Sequence, residues 1–86
     1  MSTDDQAIVL RWFADHPGAS TAEYAKELAP AEDFMRYQYI RSKTLARLKS
    51  LEKYGLAESR TTPKGPIRKS WRVTPAGIEW LRGLGI

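Results

Sequence analysis

Proline and glycine partition this 86-residue chain more firmly than any other feature of its sequence. "HPG" at 16–18, Pro30, Gly55, "PKGP" at 63–66 and Pro75 each interrupt regular structure. Proline lacks an amide proton, and glycine accepts the left-handed turn that closes a helix. Neither residue occurs between Pro30 and Gly55, so residues 31–54 stand as one long uninterrupted stretch among short ones. The chain has no cysteine and one histidine, which removes disulfides, thiolate chemistry and most zinc arrangements. A domain of this size holds together by packing around a single core.

The short segments carry their own start signals. Thr3 with Gln6 reads as a capping box, and Asp4 and Asp5 suit the positive end of a helix over about 4–15, whose Val9 and Phe13 share a face flanked by Leu10 and Trp12. Ser20 with Glu23 opens a second helix over about 21–29, with Ala22, Ala25 and Leu28 recurring at three-residue spacing before Pro30. Pro30 fits the first turn of the next helix, with Glu32 and Asp33 just inside it.

At 100° per residue from Leu48, the side chains of Phe34, Tyr37, Thr44, Leu45 and Leu51 fall within about 60°, and Ile40 slightly outside. This periodicity fits one helix, or a helix at 31–39 and another starting at Ser42; it leans towards continuity. Arg41 lies about 20° from the apolar axis and needs water or an acid there. Beyond Gly55, "LAESRT" and "KSWRVT" enclose the turn "TPKGPIR" and predict a β-hairpin with a basic tip. Trp71 and Val73 point inward and Arg72 outward, while Trp12 is expected in the core. Thr74 then caps a last helix that Pro75 opens, with Ile78 and Leu81 inward and Trp80 partly exposed, fraying near Gly83.

The formal charge is +4, unevenly spread. Residues 1–33 hold two bases and seven acids, a net of −5, whereas residues 34–86 hold twelve bases against Glu52, Glu58 and Glu79, a net of +9. Such asymmetry is the electrostatic footprint of a nucleic-acid binder. The longest apolar run, residues 7–10, is far too short for a membrane span, and the start "MSTDDQ" is unlike a signal peptide, so a cytoplasmic protein without a membrane partner is the expectation. No phosphate-cradling glycine motif, catalytic cluster, cofactor site or effector site is evident, so a non-enzymatic role is expected.

The order of three helices, a hairpin and a short helix predicts an α+β, mainly α fold in a single domain over 1–86. "HPGASTAEYAKELA", "SKTLARLKSLEKYGLAESR" and "KSWRVTPAGIEWL" together resemble the winged helix-turn-helix regulators of the MarR, PadR and ArsR-like groups. The resemblance implies a recognition helix at about 42–54 and a wing at about 60–70. The stretch from Pro30 to Arg41 departs from those groups, in which a short turn joins the second and third helices.

The face of the third helix away from Leu48 presents Tyr39, Ser42, Lys43, Ala46, Arg47, Lys49, Ser50 and Lys53, and an α-helix fits the major groove of B-DNA. Lys43, Arg47 and Ser50 are the expected base-edge or phosphate contacts, with Arg47 the specifying one because its fork matches guanine. Lys49 and Lys53 on the flank suit phosphates. The resemblance implies that Lys64, Arg68 and Lys69 in the wing reach an adjacent minor groove or the backbone. Expected partners are therefore double-stranded DNA, in the role of a repressor, and a second copy of the chain through apolar residues at 34–40 and 80–86. The alternative is a protein-docking module using Phe34, Met35, Trp80, Leu84 and Ile86. His16 reads as a turn residue.

Overall fold

A computed structural model of the chain describes residues 3–61 and 69–85, with side chains from Asp5 onward. Four helices and one antiparallel hairpin follow in the order α1 (Thr3–Asp15), α2 (Thr21–Leu28), α3 (Phe34–Lys53), β1 (Ala57–Thr61), β2 (Lys69–Val73) and α4 (Pro75–Gly83). The fold is therefore α+β and mainly helical. No helix among the described residues is long and apolar enough to cross a membrane.

Each boundary follows from a local cause. Ser20 caps α2, its Oγ accepting from the Glu23 amide at 3.3 Å. The Thr3 capping reading falls outside the described side chains. Between α2 and α3 the structure differs from expectation: residues 30–33 form a turn closed by the Asp33 amide on the Pro30 carbonyl at 3.0 Å. Asp33 stands outside the helix as its cap, because an acceptor at that place satisfies an amide of the first turn. α3 is continuous from there to Lys53.

The core joins Val9, Leu10 and Phe13 of α1 to Leu48 and Leu51 of α3, Trp71 of β2 and Leu81 of α4. β1 and β2 pair with Ala57 opposite Val73 and Ser59 opposite Trp71. Trp71 also bonds across to Ala19, its amide donating to the Ala19 carbonyl at 2.9 Å while the Gly18 amide donates to the Trp71 carbonyl at 3.0 Å. The loop after α1 is thereby tied to the hairpin. Trp12 is half-buried rather than fully enclosed: its ring stacks on His16 at 4.0 Å and its Nε1 donates to Glu27 at 2.6 Å.

α4 is docked by close contact. Thr74 Oγ1 accepts from the Gly77 amide at 3.1 Å and donates to the Gly55 carbonyl at 2.6 Å. A Cβ on Gly77 would stand 2.2 Å from the Leu56 carbonyl oxygen, so only glycine permits this approach. Gly77 and Leu81 then define the buried face, and Ile78, expected inward, is turned to the edge and exposed. Leu28 and Phe34 are exposed as well, since both lie where α2 and α3 run beyond the core.

Candidate nucleic-acid interface

The site is built on α3, whose ends are firmly set. At its start, Asp33 Oδ1 accepts from the Arg36 amide at 2.9 Å. At its end, Gly55 takes a φ of +77°, the Leu56 amide bonds to the Leu51 carbonyl at 3.0 Å and the Gly55 amide to the Glu52 carbonyl at 3.0 Å. This paired closure satisfies the last carbonyls and returns Leu56 against Leu51. A 20-residue helix is about 30 Å long. Thr44, Leu48 and Leu51 are buried on one side of its second half, Ile40 packs at the edge of the core, and the first turn from Phe34 to Arg36 is exposed.

The side of α3 away from the core is cationic and open. Ser42, Lys43, Ala46, Lys49 and Lys53 are exposed, Ser50 is half-buried and Tyr39 is 64% exposed. The helix carries a single acid, Glu52, and it points elsewhere: its carboxylate accepts from the Ser59 amide at 3.1 Å and from the Ser59 hydroxyl at 2.8 Å. Among the described residues Arg36, Arg41, Lys43, Lys49 and Lys53 form no ion pair. Lys43 Nζ lies 5.7 Å from the Tyr39 ring centroid, one turn away on the same stripe. Arg41 meets its need for water by lying beyond the core, where it is exposed.

Arg47 is placed differently from the outward fork that its spacing suggests. Its side chain is only 26% exposed, and its guanidinium reaches Asp5 at 3.8 Å on the first turn of α1. Its Nε is buried without a hydrogen-bond partner. The cause is angular: residue 47 lies about 100° from Leu48, on the flank where α1 packs, rather than opposite the core. Arg47 also acts on Tyr24, a buried residue of α2 packed edge-on to Trp12 at 5.0 Å. Burial raises the Tyr24 phenol above its usual value of 10.0, and the nearby positive charge of Arg47 partly opposes that rise. Arg47 thus links α3 to α1.

The hairpin contributes a second set of cations. Lys69 is exposed on β2, its Nζ 6.0 Å from the Trp71 ring centroid. Arg60 and Arg72 are exposed on the strands, and strand alternation was the signal that placed Arg72 outward. Lys64 and Arg68 lie outside the described residues, as does Ile86. Sequence reasoning passed over Arg36, Arg41 and Arg60 as site residues; for the first two, no periodic signal marks where a helix leaves its core. No three acidic or histidine side chains converge into a metal site among the described residues.

A separate feature lies at the corner of α2 and α3. An open groove of about 550 Å³ is lined by Lys26, Ala29, Pro30, Ala31, Phe34 and Tyr37. The Phe34 and Tyr37 rings stack at 6.1 Å along it. Leu28 and Met35 are also exposed at this corner, Met35 by 80%.

No protein-family model matches the chain, and no curated protein or solved structure matches it either.

Proposed function

We propose that this chain is a winged-helix, double-stranded DNA-binding protein acting in the cytoplasm as a small transcriptional repressor without catalytic activity. The outer side of α3 enters the major groove, and the hairpin meets the backbone or the adjacent minor groove. One observation carries the reading: Lys43, Lys49 and Lys53 share an exposed helical side with no acid, because Glu52 lies about 40° from Leu48 on the core side, where it is engaged with Ser59. A solvated helix surface that had no polyanion to meet would mix signs, since opposite charges four residues apart stabilise a helix.

Within this reading the specifying role passes from Arg47 to Ser42, Lys43 and Ser50, with Lys49, Lys53 and Lys69 on phosphates. The test is fluorescence anisotropy against random duplex DNA at several salt concentrations. If about five phosphates are neutralised, log affinity falls against log salt with a slope near −4 to −5. Binding unchanged by salt, or no binding in dilute buffer, rejects the proposal. Competition with duplex RNA separates DNA from RNA as the ligand.

A second reading, a protein-docking module, draws support from the exposure of Phe34 in the apolar groove and of Leu28 and Met35 outside it. It predicts partner binding that is nearly indifferent to salt.

A further inference from the structure

We propose that residues 34–41 of α3 pair antiparallel with the same segment of a second copy of this chain, about a twofold axis near Tyr37. The first observation is a seam. Phe34, Tyr37, Arg41, Thr44, Leu48 and Leu51 recur at alternating spacings of three and four residues along one helix, the heptad pattern by which helices pair. The chain's own core covers the second half of that seam, where Thr44, Leu48 and Leu51 are buried. It does not cover the first half: Phe34 is 65% exposed and Arg41 exposed, with Tyr37 half-buried at the rim of the α2–α3 groove.

The second observation chooses the occupant. This segment is self-complementary in charge, with Glu32 and Asp33 at its start and Arg36 and Arg41 further along, all exposed. Antiparallel pairing about Tyr37 brings the acidic start of one copy beside Arg41 of the other, whereas parallel pairing sets like charges together. It also places Arg41 across from Phe34 of the second copy, where a guanidinium can lie over the ring. Because the contact uses the same patch on both copies, it closes at two and does not propagate.

The cationic side with Lys43, Lys49 and Lys53 points away from the seam, so pairing leaves it open. The inference stands independently of DNA binding. The contact is small, near the lower limit for specific association, so dissociation in the micromolar range is expected.

The test is the mass of the full chain by light scattering or sedimentation from roughly 10 to 500 µM, a span that brackets weak association. We expect it to rise from 9.8 kDa towards twice that value and no further. Phe34→Glu holds the chain at the monomer mass while circular dichroism stays unchanged, since the side chain is outside the core. Glu32→Arg and Arg41→Glu each weaken association at least tenfold, and the double variant restores it. A monomer at every concentration overturns the proposal. So does a dimer that ignores Phe34→Glu, one abolished instead by Trp80→Ala or Leu84→Glu, or a charge-swapped pair that stays weak.

Discussion

The two halves of α3 obey one pattern and meet different surroundings. In residues 44–53 the heptad seam is enclosed in the core with α1, the hairpin and Leu81 of α4, and the outer side remains in water. In residues 34–43 the same spacing runs on to the edge of the core, where Ile40 still packs, with Phe34 open and Tyr37 half-buried beside a shallow groove. Periodicity therefore specifies which side of a helix is apolar, while the length of the neighbouring elements decides where that side is covered. α2 ends at Leu28, and the first turn of α3, Phe34 to Arg36, is exposed.

Stability should separate the halves most sharply. Leu48→Ala removes a fully buried side chain and leaves a cavity, which costs about 3 kcal/mol. Phe34→Ala, at dilutions where the chain is monomeric, should change stability by less than about 0.5 kcal/mol, as exposed substitutions do. Urea denaturation of the two variants reads the difference directly. A Phe34→Ala loss comparable to that of Leu48→Ala would mean that the first half is covered within the single chain, and the distinction between halves would fail.

The same contrast explains what the sequence made legible. The Ser20 and Thr74 caps, the closure at Gly55 and the inward Trp71 all follow from signals spanning fewer than about ten residues, whereas the periodicity over residues 34–51 left one helix or two open and the structure makes α3 continuous. Three features depend on how elements are placed in space. Phe34 matches Leu48 in angle but not in depth, because angle is local and depth depends on α1 and β2. Arg47 matches the cationic side in spacing, yet α1 brings Asp5 to its flank. Ile78 gives way to Gly77 on the buried face of α4, because the Leu56 carbonyl approaches there. The open cationic side was legible as a charge pattern that leaves Glu52 about 40° from Leu48, while its hydrogen bonds to Ser59 required β1 to lie alongside.

Binding should divide along a different line. Lys49 and Lys53 belong to the buried-seam half, which is rigidly held and so presents its outer side at a fixed angle. Lys49→Ala with Lys53→Ala should lower affinity for every duplex by roughly tenfold to thirtyfold near physiological salt and reduce the salt slope by about two. Arg36→Ala in the projecting half should alter the slope by less than about one, if the groove is entered by residues 42–53 alone. Equal slopes lost from both halves would show that the whole helix lies along the nucleic acid.

Removing the cap at Asp33 probes the projecting half alone. Its carboxylate holds the Arg36 amide, so Asp33→Ala should cost about 1 kcal/mol. That loss should appear as fraying of residues 34–38, seen as faster amide exchange there, while amides of residues 48–51 keep the protection of the core. Uniform acceleration along α3 would indicate that its two halves unfold as one unit.

The smallest effect belongs to Arg47, on the border between the halves. Its ion pair with Asp5 is long and half in water, so at neutral pH Arg47→Ala should cost only a few tenths of a kcal/mol beyond its lost packing. Alkaline solution should enlarge the difference. Tyr24 is held above its ordinary value of 10.0 by burial, so the folded chain keeps that proton after the unfolded chain has released it. Its contribution to stability is fully present below pH 10 and is lost as pH rises towards the folded value. Arg47 lowers the folded value, so removing it lengthens that window of loss, and the variant should fall further behind the parent above pH 10 than at pH 7. Parallel stability curves for the two proteins across that range would show that the guanidinium does not act on Tyr24. A loss of sequence preference in DNA binding larger than the loss of stability would return Arg47 to the groove as a reader.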